Sequence, residues 1–522
     1  MSNSNIWARK PVEAFEEDMR TSGLKRVLGK WGLTAIGIGA IIGTGIFVLT
    51  GVGAAEYAGP ALALSFVLAG IGCGFAALCY AEFASFLPVE GSAYAYSYAT
   101  MGELFAWIIG WDLILEYAMG ASTVAVGWSG YFGKFIHLFN GAKLPLWLMI
   151  DPFSAKSMLA DAAASVTKMK DLTNYYSDIT LPTIMGHPFA INLPAFLIIW
   201  FVTALLVKGI KEASGANSIV VAVKLLVVVL VIIVGAQFID VANWTPFIPE
   251  PGHMTNPGET QPHEAFGWYG ILKGASIIFF AYIGFDAVST QAGEAKNPKK
   301  DVPFGIIVSL VICTILYILV ALVLTGMNNY KTLDLSAPVA GAFEHLGTKF
   351  KYSNYAVFII SAAALAGLTS VLIVMLLGQS RVFFSMANDK LLPHKMFGVL
   401  HQKFKTPYKT SLITGLVVSL VSAFTPIGVI AEMVNIGTLL AFVLVCGAVW
   451  LMRIKEPDRP RAFRTPYLPV VATLGIISNL FIMFGIGPIT WLRLVVWLAL
   501  GFIIYFAYGR FHSRLNNPEK VS

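Results

Sequence analysis

Twelve long apolar segments divide this sequence, and they constrain its fold more than any other feature. A helix needs about 20 mainly apolar residues to cross the ~30 Å hydrocarbon core of a bilayer. Segments near that length recur along the chain, at 33–51, 60–87, 103–131, 193–209, 217–238, 270–291, 303–326, 355–386, 409–426, 430–452, 468–486 and 490–508. The pattern predicts an all-α integral membrane protein with about 12 transmembrane helices.

The composition excludes an ordinary soluble protein. Hydrophobic residues make up 57% of the chain and charged residues 12%, whereas soluble domains carry roughly 25% charged and about 45–50% apolar residues. All four cysteines lie inside apolar segments and lack the clustering and flanking ligands of a metal site. We interpret them as small packing residues: Cys73, Cys79, Cys313 and Cys446.

The basic residues predict the orientation in the membrane. If the N-terminus is cytoplasmic, 25 of the 36 Lys and Arg residues fall in inward-facing segments, as the positive-inside rule requires. The polar, mixed-charge start of the chain does not resemble a cleavable signal. We therefore expect residues 1–32 to form a cytoplasmic segment and residues 509–522 a cytoplasmic tail. Within the connection 140–190, SAKSMLADAAASVTKMKDL predicts a short amphipathic helix on the outer face.

Glycine is unusually dense in the first apolar segment, LTAIGIGAIIGTGIFVLTG. Glycine is common where membrane helices pack closely, but Gly43-Thr44-Gly45 is denser than packing requires. Backbone groups that leave a helix inside a bilayer must face protein, water or a ligand. The motif therefore predicts a helix that is broken here and holds a small zwitterionic solute.

The sixth segment, IIFFAYIGFDAVSTQAGE, carries a second candidate break. Gly284 lies in the middle of the span, and Asp286 follows it at a depth where an unneeded carboxylate would be costly. The first and sixth of ten spans occupy equivalent places in two five-helix halves. Interrupted segments at corresponding positions indicate an inverted-repeat transporter with its site near the bilayer midplane.

These residues carry a family resemblance. GIGAIIGTGIFVLTG, followed by AGPALALSFVLAG, ALCYAEFASFLPVEGSAYAYSYATMGE and GWDLILEY, closely resembles the cationic amino acid transporter family of the amino acid–polyamine–organocation superfamily. FFAYIGFDAVSTQAGEAKNPKKDVPFGI, IVMLLGQSR and RAFRTPYLPVVA extend the resemblance over nearly the whole chain. It implies the LeuT-type fold, with helices 1 and 6 discontinuous. The chain also resembles the bacterial branch of the family, which lacks the extra pair of helices found in eukaryotic members.

The resemblance also implies a division of the chain. The transport core would span residues 33–452, with a first repeat at 33–238 and an inverted second repeat at 270–452. Two trailing helices would follow at 468–508.

The broken helices would bind the head group of an amino acid. A carboxylate needs the exposed N–H groups of one half-helix, and an ammonium needs the exposed carbonyls of another. Matched to the family, the N–H groups of Thr44 and Gly45 would meet the carboxylate, and Gly43 belongs to the same substrate-binding set. The carbonyls expected to meet the ammonium are those of Ile41, Phe280, Ala281 and Ile283. Met375 would face the side-chain end of the pocket, as a size filter or as simple packing.

Lys224 is the strongest single candidate for a functional residue, because it is the one charged residue in the run SIVVAVKLLVVVLVIIVG. A mid-bilayer lysine costs at least ~2.5–3.5 kcal/mol on insertion scales, and its depth in the run disfavours snorkelling to the interface. Sodium-coupled relatives of this fold hold a cation between helices 1 and 8. The resemblance places the Lys224 ammonium there instead, near Gly39, Ile42, Thr369 and Ser370. Because burial disfavours a charged amine, Lys224 would couple transport to protons.

Several acidic residues lie within or beside apolar segments, and four of them are candidates for a role there. Asp112 and Glu116 are four residues apart, so they share one face of helix 3. Glu116 aligns with a family glutamate near the substrate, where it could meet a side-chain amine or carry protons. The alternative is that both side chains form hydrogen bonds inside the bundle. We interpret Glu82 and Asp286 as structural.

The sequence thus predicts a secondary active amino acid permease and no enzyme. The leading hypothesis is proton-coupled symport across the cell membrane by alternating access, with both termini cytoplasmic. The alternatives are obligate exchange and, less favoured, an amino acid sensor. A sensor normally has an added signalling domain, and the sequence shows no recognisable one. No charge ring favours a channel, and no nucleophile or metal set favours an intramembrane enzyme.

The expected partners are an amino acid and the lipid bilayer, with no nucleic acid and no obligatory protein. The coupling ion is expected to be the proton rather than sodium, with no metal and no cofactor. Neutral amino acids are favoured, and cationic ones remain open through Glu116.

Overall fold

The computed structural model describes residues 5–11, 28–87, 92–163, 175–184, 186–209, 213–254 and 262–516. Parts of three predicted elements lie outside these residues: most of the segment 1–32, the second part of the amphipathic segment at 164–174, and the end of the tail at 517–522. The same holds for some of the basic residues used to predict the orientation, namely Arg20, Lys25, Arg26, Lys211 and Lys520.

Long apolar helices lie where the sequence predicts membrane spans. Among the described residues, eight helices are long and apolar enough to cross a membrane, and three further apolar helices are shorter. The first of the eight, Gly45–Phe86, has 42 residues, or about 63 Å of helix, twice the thickness of the hydrocarbon core. Gly59, at φ +61°, and Pro60 divide it. With Gly45–Phe86 divided in this way and the three shorter helices included, the described part of the chain contains twelve candidate spans.

We number these spans α1 to α12. Two are built in pieces. The first consists of α1a, Lys30–Ile41, and α1b, which runs through Gly45–Leu49, Thr50–Gly53 and Ala54–Ala58. The sixth consists of α6a, Gly267–Ile278, a 3₁₀ turn, Phe279–Tyr282, and α6b, the 3₁₀ helix Asp286–Glu294. The others are α2 Leu62–Phe86, α3 Glu103–Asn140, α4 Leu193–Lys208, α5 Ala213–Gly235, α7 Pro298–Met327, α8 Ser353–Asn388, α9 Tyr408–Phe424, α10 Ile427–Lys455, α11 Leu468–Phe484 and α12 Pro488–Ile504.

The connections contain short elements. The helices among them are Ser92–Thr100, Leu146–Met149, Pro152–Ala163, Pro338–Leu346, His394–Phe397 and Arg510–His512. Two antiparallel strand pairs also occur, β1 Thr183–Ile184 with β2 His187–Pro188, and β3 Gly252–Met254 with β4 His263–Ala265. Helix Pro152–Ala163 covers the first part of the segment for which the sequence predicts an amphipathic helix.

The packing places the broken helices at the centre. α7 packs along α2 and α1a, while α3 packs along α8 and α10. In contrast, α5 and α12 leave most of their apolar surface facing outwards, as expected where side chains contact lipid. This arrangement surrounds the two discontinuous helices with protein on all sides, which their unpaired backbone groups require.

A short backbone bridge joins the beginning of the first broken helix to the end of the second. Leu28, just before α1a, donates its N–H to the carbonyl of Glu294 (2.9 Å), and its own carbonyl accepts from Lys296 (2.7 Å). This parallel bridge between Leu28 and Ala295 links the beginning of α1a to the end of α6b.

The predicted fold class is confirmed: the chain is an all-α multi-pass membrane protein in which helices 1 and 6 are discontinuous. The division into repeats at 33–238 and 270–452 stays a prediction.

Candidate functional site

The first break follows Ile41. Ile42 leaves the helix with an extended backbone (ψ 100°), and the next helical bond runs from the Phe47 N–H to the Gly43 carbonyl (3.2 Å). Because a new helix starts here, the N–H groups of Thr44 and Gly45 have no intrahelical acceptor. Such a helix start favours an anion. The Thr44 hydroxyl is fully buried and has no hydrogen-bond partner among the described residues.

The second break lies between α6a and α6b. After the 3₁₀ turn, Ile283 is extended (ψ 135°) and Gly284 has φ +112°, a conformation that glycine adopts readily. A Cβ atom on Gly284 would also lie 2.9 Å from the Ala40 carbonyl oxygen. The Phe280 carbonyl, one of those predicted to meet an ammonium, accepts the Ile283 N–H (3.2 Å) and keeps a second lone pair.

The two breaks meet. A Cβ atom on Gly45 would lie 2.3 Å from the Cα atom of Ala281. On α7, the Tyr317 hydroxyl lies 2.8 Å from the carbonyl oxygens of both Ile41 and Ala281. A hydroxyl has a single proton, so it donates to these two acceptors one at a time. The structure thus brings two of the carbonyls predicted for the ammonium to one place.

Lys224 binds the carbonyl end of α1a. It is fully buried, and its ammonium donates to the carbonyls of Gly39 and of Ile42, the latter at 2.8 Å. The end of a helix carries partial negative charge, which suits a cation. On α8, Gly367 leaves room for the aliphatic part of Lys224, because a Cβ there would approach it to 3.3 Å.

Of the two α8 residues predicted near Lys224, Thr369 forms hydrogen bonds with Trp128 and with its own helix. The Thr369 hydroxyl accepts the indole N–H of Trp128 (3.0 Å) and donates to the Leu365 carbonyl (2.7 Å). Trp128 therefore holds the Thr369 side chain. The roles of Thr369 and of its neighbour Ser370 stay predictions.

The predicted side-chain end of the pocket lies between α3 and α8. Met375 is buried, and its sulfur lies 3.5 Å from the position that a Cβ atom on Gly120 would occupy. Gly120 is one turn beyond Glu116 on the same face of α3. The absence of a side chain at Gly120 leaves space next to Met375.

The acidic pair on α3 faces α10. Glu116 is buried, and the hydroxyl of Thr438 on α10 donates to the Val434 carbonyl (3.0 Å). Asp112 is also buried, and a Cβ atom on Gly437 would lie 2.7 Å from its carboxylate. Neither oxygen of Asp112 has a hydrogen-bond partner within the described ranges. The two readings of Glu116, as substrate contact or as bundle hydrogen bond, stay open.

Among the described residues, charge clusters also lie away from the breaks, and the first is centred on Glu82. Glu82 is fully buried and accepts from Arg453 (2.5 and 3.2 Å) and from the Thr465 N–H (2.8 Å). These bonds fix the connection between α10 and α11 to α2. This geometry fits the structural interpretation of Glu82.

The second cluster ties the far end of α3 to the connection between α7 and α8. Lys134 pairs with Asp334 (2.8 Å) and with Glu344. Asp334 in turn accepts from the Ser336 N–H (2.8 Å) and hydroxyl (2.7 Å) just before helix Pro338–Leu346. One lysine thus holds both ends of that helix.

The sequence analysis missed three side chains beside the breaks. Tyr317 and Trp128 lie in apolar runs, where aromatic residues are common in packing, so the pattern contains no signal for them. Asn435 of α10 is different: its carboxamide donates to the carbonyls of Ser276 and Ile277 at the end of α6a. A carboxamide in the middle of an apolar span is a recognisable signal.

Similarity to known proteins identifies the family. Residues 28–509 match the amino acid permease family model. The branched-chain amino acid permease BcaP of Bacillus subtilis (strain 168) is 45% identical over 95% of this chain and 96% of its own length. The methylthioribose transporter of that bacterium is 40% identical over 98% of this chain and its full length.

A vacuolar cationic amino acid transporter of Arabidopsis thaliana, transporter 4, is 29% identical over 95% of this chain and 94% of its own length. The resemblance to the cationic amino acid transporter family and its bacterial branch is confirmed. The matched family and its relatives point to a transporter rather than an enzyme. The chain belongs to the amino acid permease family of the amino acid–polyamine–organocation superfamily.

Proposed function

We propose that this protein is a proton-coupled symporter of neutral amino acids, working by alternating access in the cell membrane with both termini cytoplasmic. One observation carries the proposal. The two broken helices meet at Gly45 and Ala281, which brings helix-start N–H groups and helix-end carbonyls together beside a buried lysine.

The backbone of the breaks fits the head group of an amino acid. The N–H groups of Thr44 and Gly45 would bind the carboxylate. The Thr44 hydroxyl, which has no partner among the described residues, is available beside them. The carbonyls of Ile41 and Ala281 would bind the ammonium, in the place where Tyr317 now donates. The Phe280 and Ile283 carbonyls would complete that set.

The side-chain end favours a neutral substrate. Met375 and the space at Gly120 form an apolar end for the pocket, and one relative is a branched-chain amino acid permease. A cationic side chain would need Glu116, the acidic residue one turn before Gly120 on the same face of α3.

Lys224 supports coupling to protons. Its ammonium is bound by neutral carbonyls of α1a, and it forms no ion pair within the described residues. A buried charge depends strongly on such partners. A movement of α1a that withdraws Gly39 and Ile42 would therefore favour release of the proton, and reprotonation would favour return of α1a. This cycle needs no sodium.

A second candidate substrate comes from the methylthioribose transporter, which is 40% identical to this chain. A thio-sugar has neither the ammonium nor the carboxylate that the two breaks are suited to bind. The geometry therefore favours an amino acid. Obligate exchange is a further alternative, because it uses the same site.

Uptake into proteoliposomes tests the proposal. Empty vesicles with an imposed inward proton gradient are expected to accumulate labelled neutral amino acids, whereas an exchanger would need amino acid inside. Uptake of methylthioribose but of no amino acid would overturn the assigned substrate.

The variant Lys224→Ala tests the coupling. It is expected to lose accumulation driven by the proton gradient, while Lys299→Ala, at an exposed lysine, keeps it. Substrate-linked proton movement at wild-type stoichiometry in Lys224→Ala would refute the role of Lys224.

A further inference from the structure

Asn435 of α10 is bonded to the end of α6a. It is fully buried, and its side-chain nitrogen donates to the carbonyl oxygens of Ser276 (2.6 Å) and Ile277 (2.9 Å). Because both neighbours are acceptors, the orientation of the carboxamide is determined: the nitrogen must face α6a.

These carbonyls need a partner because of the break. The last carbonyls of a helix have no intrahelical donor, and inside a membrane they must be satisfied by protein, water or ligand. The chain changes from α-helix to a 3₁₀ turn at Phe279. Asn435 supplies donors for Ser276 and Ile277, so the carbonyls that remain for a ligand are those that follow, at Phe280 and Ala281.

The side-chain oxygen of Asn435 indicates that the residue contributes through its nitrogen. The Asn435 side-chain oxygen has no hydrogen-bond partner within the part of the chain that the structure describes. A buried acceptor left unpaired is destabilising, and an apolar side chain of similar size would avoid it. The donated bonds to α6a are therefore what this residue contributes.

We infer that Asn435 is a positioning residue for the substrate ammonium: by holding the end of α6a, it directs the Phe280 and Ala281 carbonyls into the site. This inference rests on the proposed function, because it requires a substrate with an ammonium group. Asn435 acts through the backbone of α6 and needs no direct contact with the substrate.

Asn479 of α11 provides a matched control. It is also fully buried, its nitrogen donates to the carbonyls of Gly475 (2.7 Å) and Gly72 (3.3 Å), and its oxygen too lacks a partner among the described residues. The Gly72 bond joins α11 to α2, the Gly475 bond lies within α11, and neither reaches α6. Asn479→Leu therefore removes the same chemistry from a different helix contact.

The first test compares two ligands with the same side chain, leucine and 2-hydroxyisocaproate, which lacks the ammonium. Binding is measured for wild-type protein, Asn435→Leu and Asn479→Leu. Asn435→Leu is expected to weaken leucine binding about tenfold and to change binding of the hydroxy acid less than about twofold. Equal losses for both ligands, or the same leucine-specific loss in Asn479→Leu, would overturn the inference.

The second test does not depend on transport. Amide hydrogen exchange is expected to rise in the segment 276–284 of Asn435→Leu and to stay unchanged there in Asn479→Leu. Unchanged exchange in Asn435→Leu overturns the inference. If Asn435→Leu does not fold, Asn435→Asp keeps the shape and, when protonated, donates one bond, so it should give intermediate values in both tests.

The two tests also separate this inference from the proposed function. Wild-type protein that binds no amino acid would refute both the proposed function and the ammonium role. Wild-type protein that binds leucine, with no selective loss in Asn435→Leu, would refute the Asn435 role alone.

Discussion

Gly45 and Ala281 lie so close together that a Cβ atom on Gly45 would be 2.3 Å from both the Cα and Cβ atoms of Ala281. Real Cβ atoms essentially never approach other atoms to less than 3.0 Å. The contact joins the two helix breaks directly. The relative position of the N–H groups after Gly43 and the carbonyls near Ala281 therefore depends on a glycine at position 45.

Gly45→Ala is expected to lower the initial rate of amino acid uptake in proteoliposomes at least about tenfold, because the added methyl group must push the breaks apart. Gly447→Ala in α10 is the control, since a Cβ atom there meets nothing within 4 Å, and it should keep the wild-type rate. A wild-type rate in Gly45→Ala would show that the breaks tolerate separation.

Tyr317→Phe removes the hydroxyl shared by the Ile41 and Ala281 carbonyls and keeps the ring. We expect an unfolding free energy lower by about 0.5–1.5 kcal/mol and a changed KM for amino acids, because the carbonyls that face the ammonium lose a common donor. Thermal unfolding and uptake kinetics measure the two effects. Tyr505→Phe, whose hydroxyl donates to Glu103 (3.0 Å), should change stability alone. The same KM change in both variants would contradict the prediction.

Met375→Ser should admit larger side chains, because it shortens the residue that lies next to Gly120. Gly120→Ala should have the opposite effect, since its methyl group would come within 3.5 Å of the Met375 sulfur. Uptake of a panel of neutral amino acids of increasing size, expressed relative to alanine, measures both. A panel profile that is unchanged in both variants would place the side-chain end of the pocket elsewhere.

The Lys134–Asp334 pair predicts a dependence of stability on pH. Burial alone would raise the pKa of the Asp334 carboxyl, but the Lys134 ammonium and the hydrogen bonds from Ser336 outweigh it and lower this pKa below its ordinary value. Folding therefore favours the ionised form. The stabilisation is complete above the unfolded pKa of about 4 and is lost as the pH falls further below it.

Asp334→Asn should accordingly lower the unfolding free energy at neutral pH by about 1–3 kcal/mol, and its difference from wild type should shrink below about pH 4. Thermal unfolding across this pH range measures the effect. Glu250→Gln, at an exposed glutamate, serves as the control. A difference that is independent of pH would exclude Asp334 as its source.

The sequence predicts those parts of the site that depend on composition within a single span. Gly43-Thr44-Gly45 interrupts one helix, and Lys224 stands out because nothing else charged lies in its run. Tyr317 could not be located in this way, and the carboxamide of Asn435, although recognisable within its apolar span, does not indicate which groups it binds. Each acts on backbone groups of a different helix, more than 30 positions away in the chain, and only the packing of the bundle brings them together.

The hydrogen bond between Thr369 and Trp128 also depends on how the helices pack, so the sequence could not predict it. The resemblance predicts the place of Thr369 near Lys224, but sequence cannot show that the Trp128 indole occupies its hydroxyl. Likewise, the sequence indicates a break near Gly284 without indicating that α6b continues as a 3₁₀ helix.

The bridge between Leu28 and Ala295 has a consequence for leakage. A transporter loses its stoichiometry when one half of its gate opens without the other, because substrate or protons then cross alone. Moving α1a while α6b stays in place would break both hydrogen bonds of Leu28. In the proposed transport cycle, the bridge would make α1a and α6b move together and would disfavour the half-open states through which uncoupled leakage would occur.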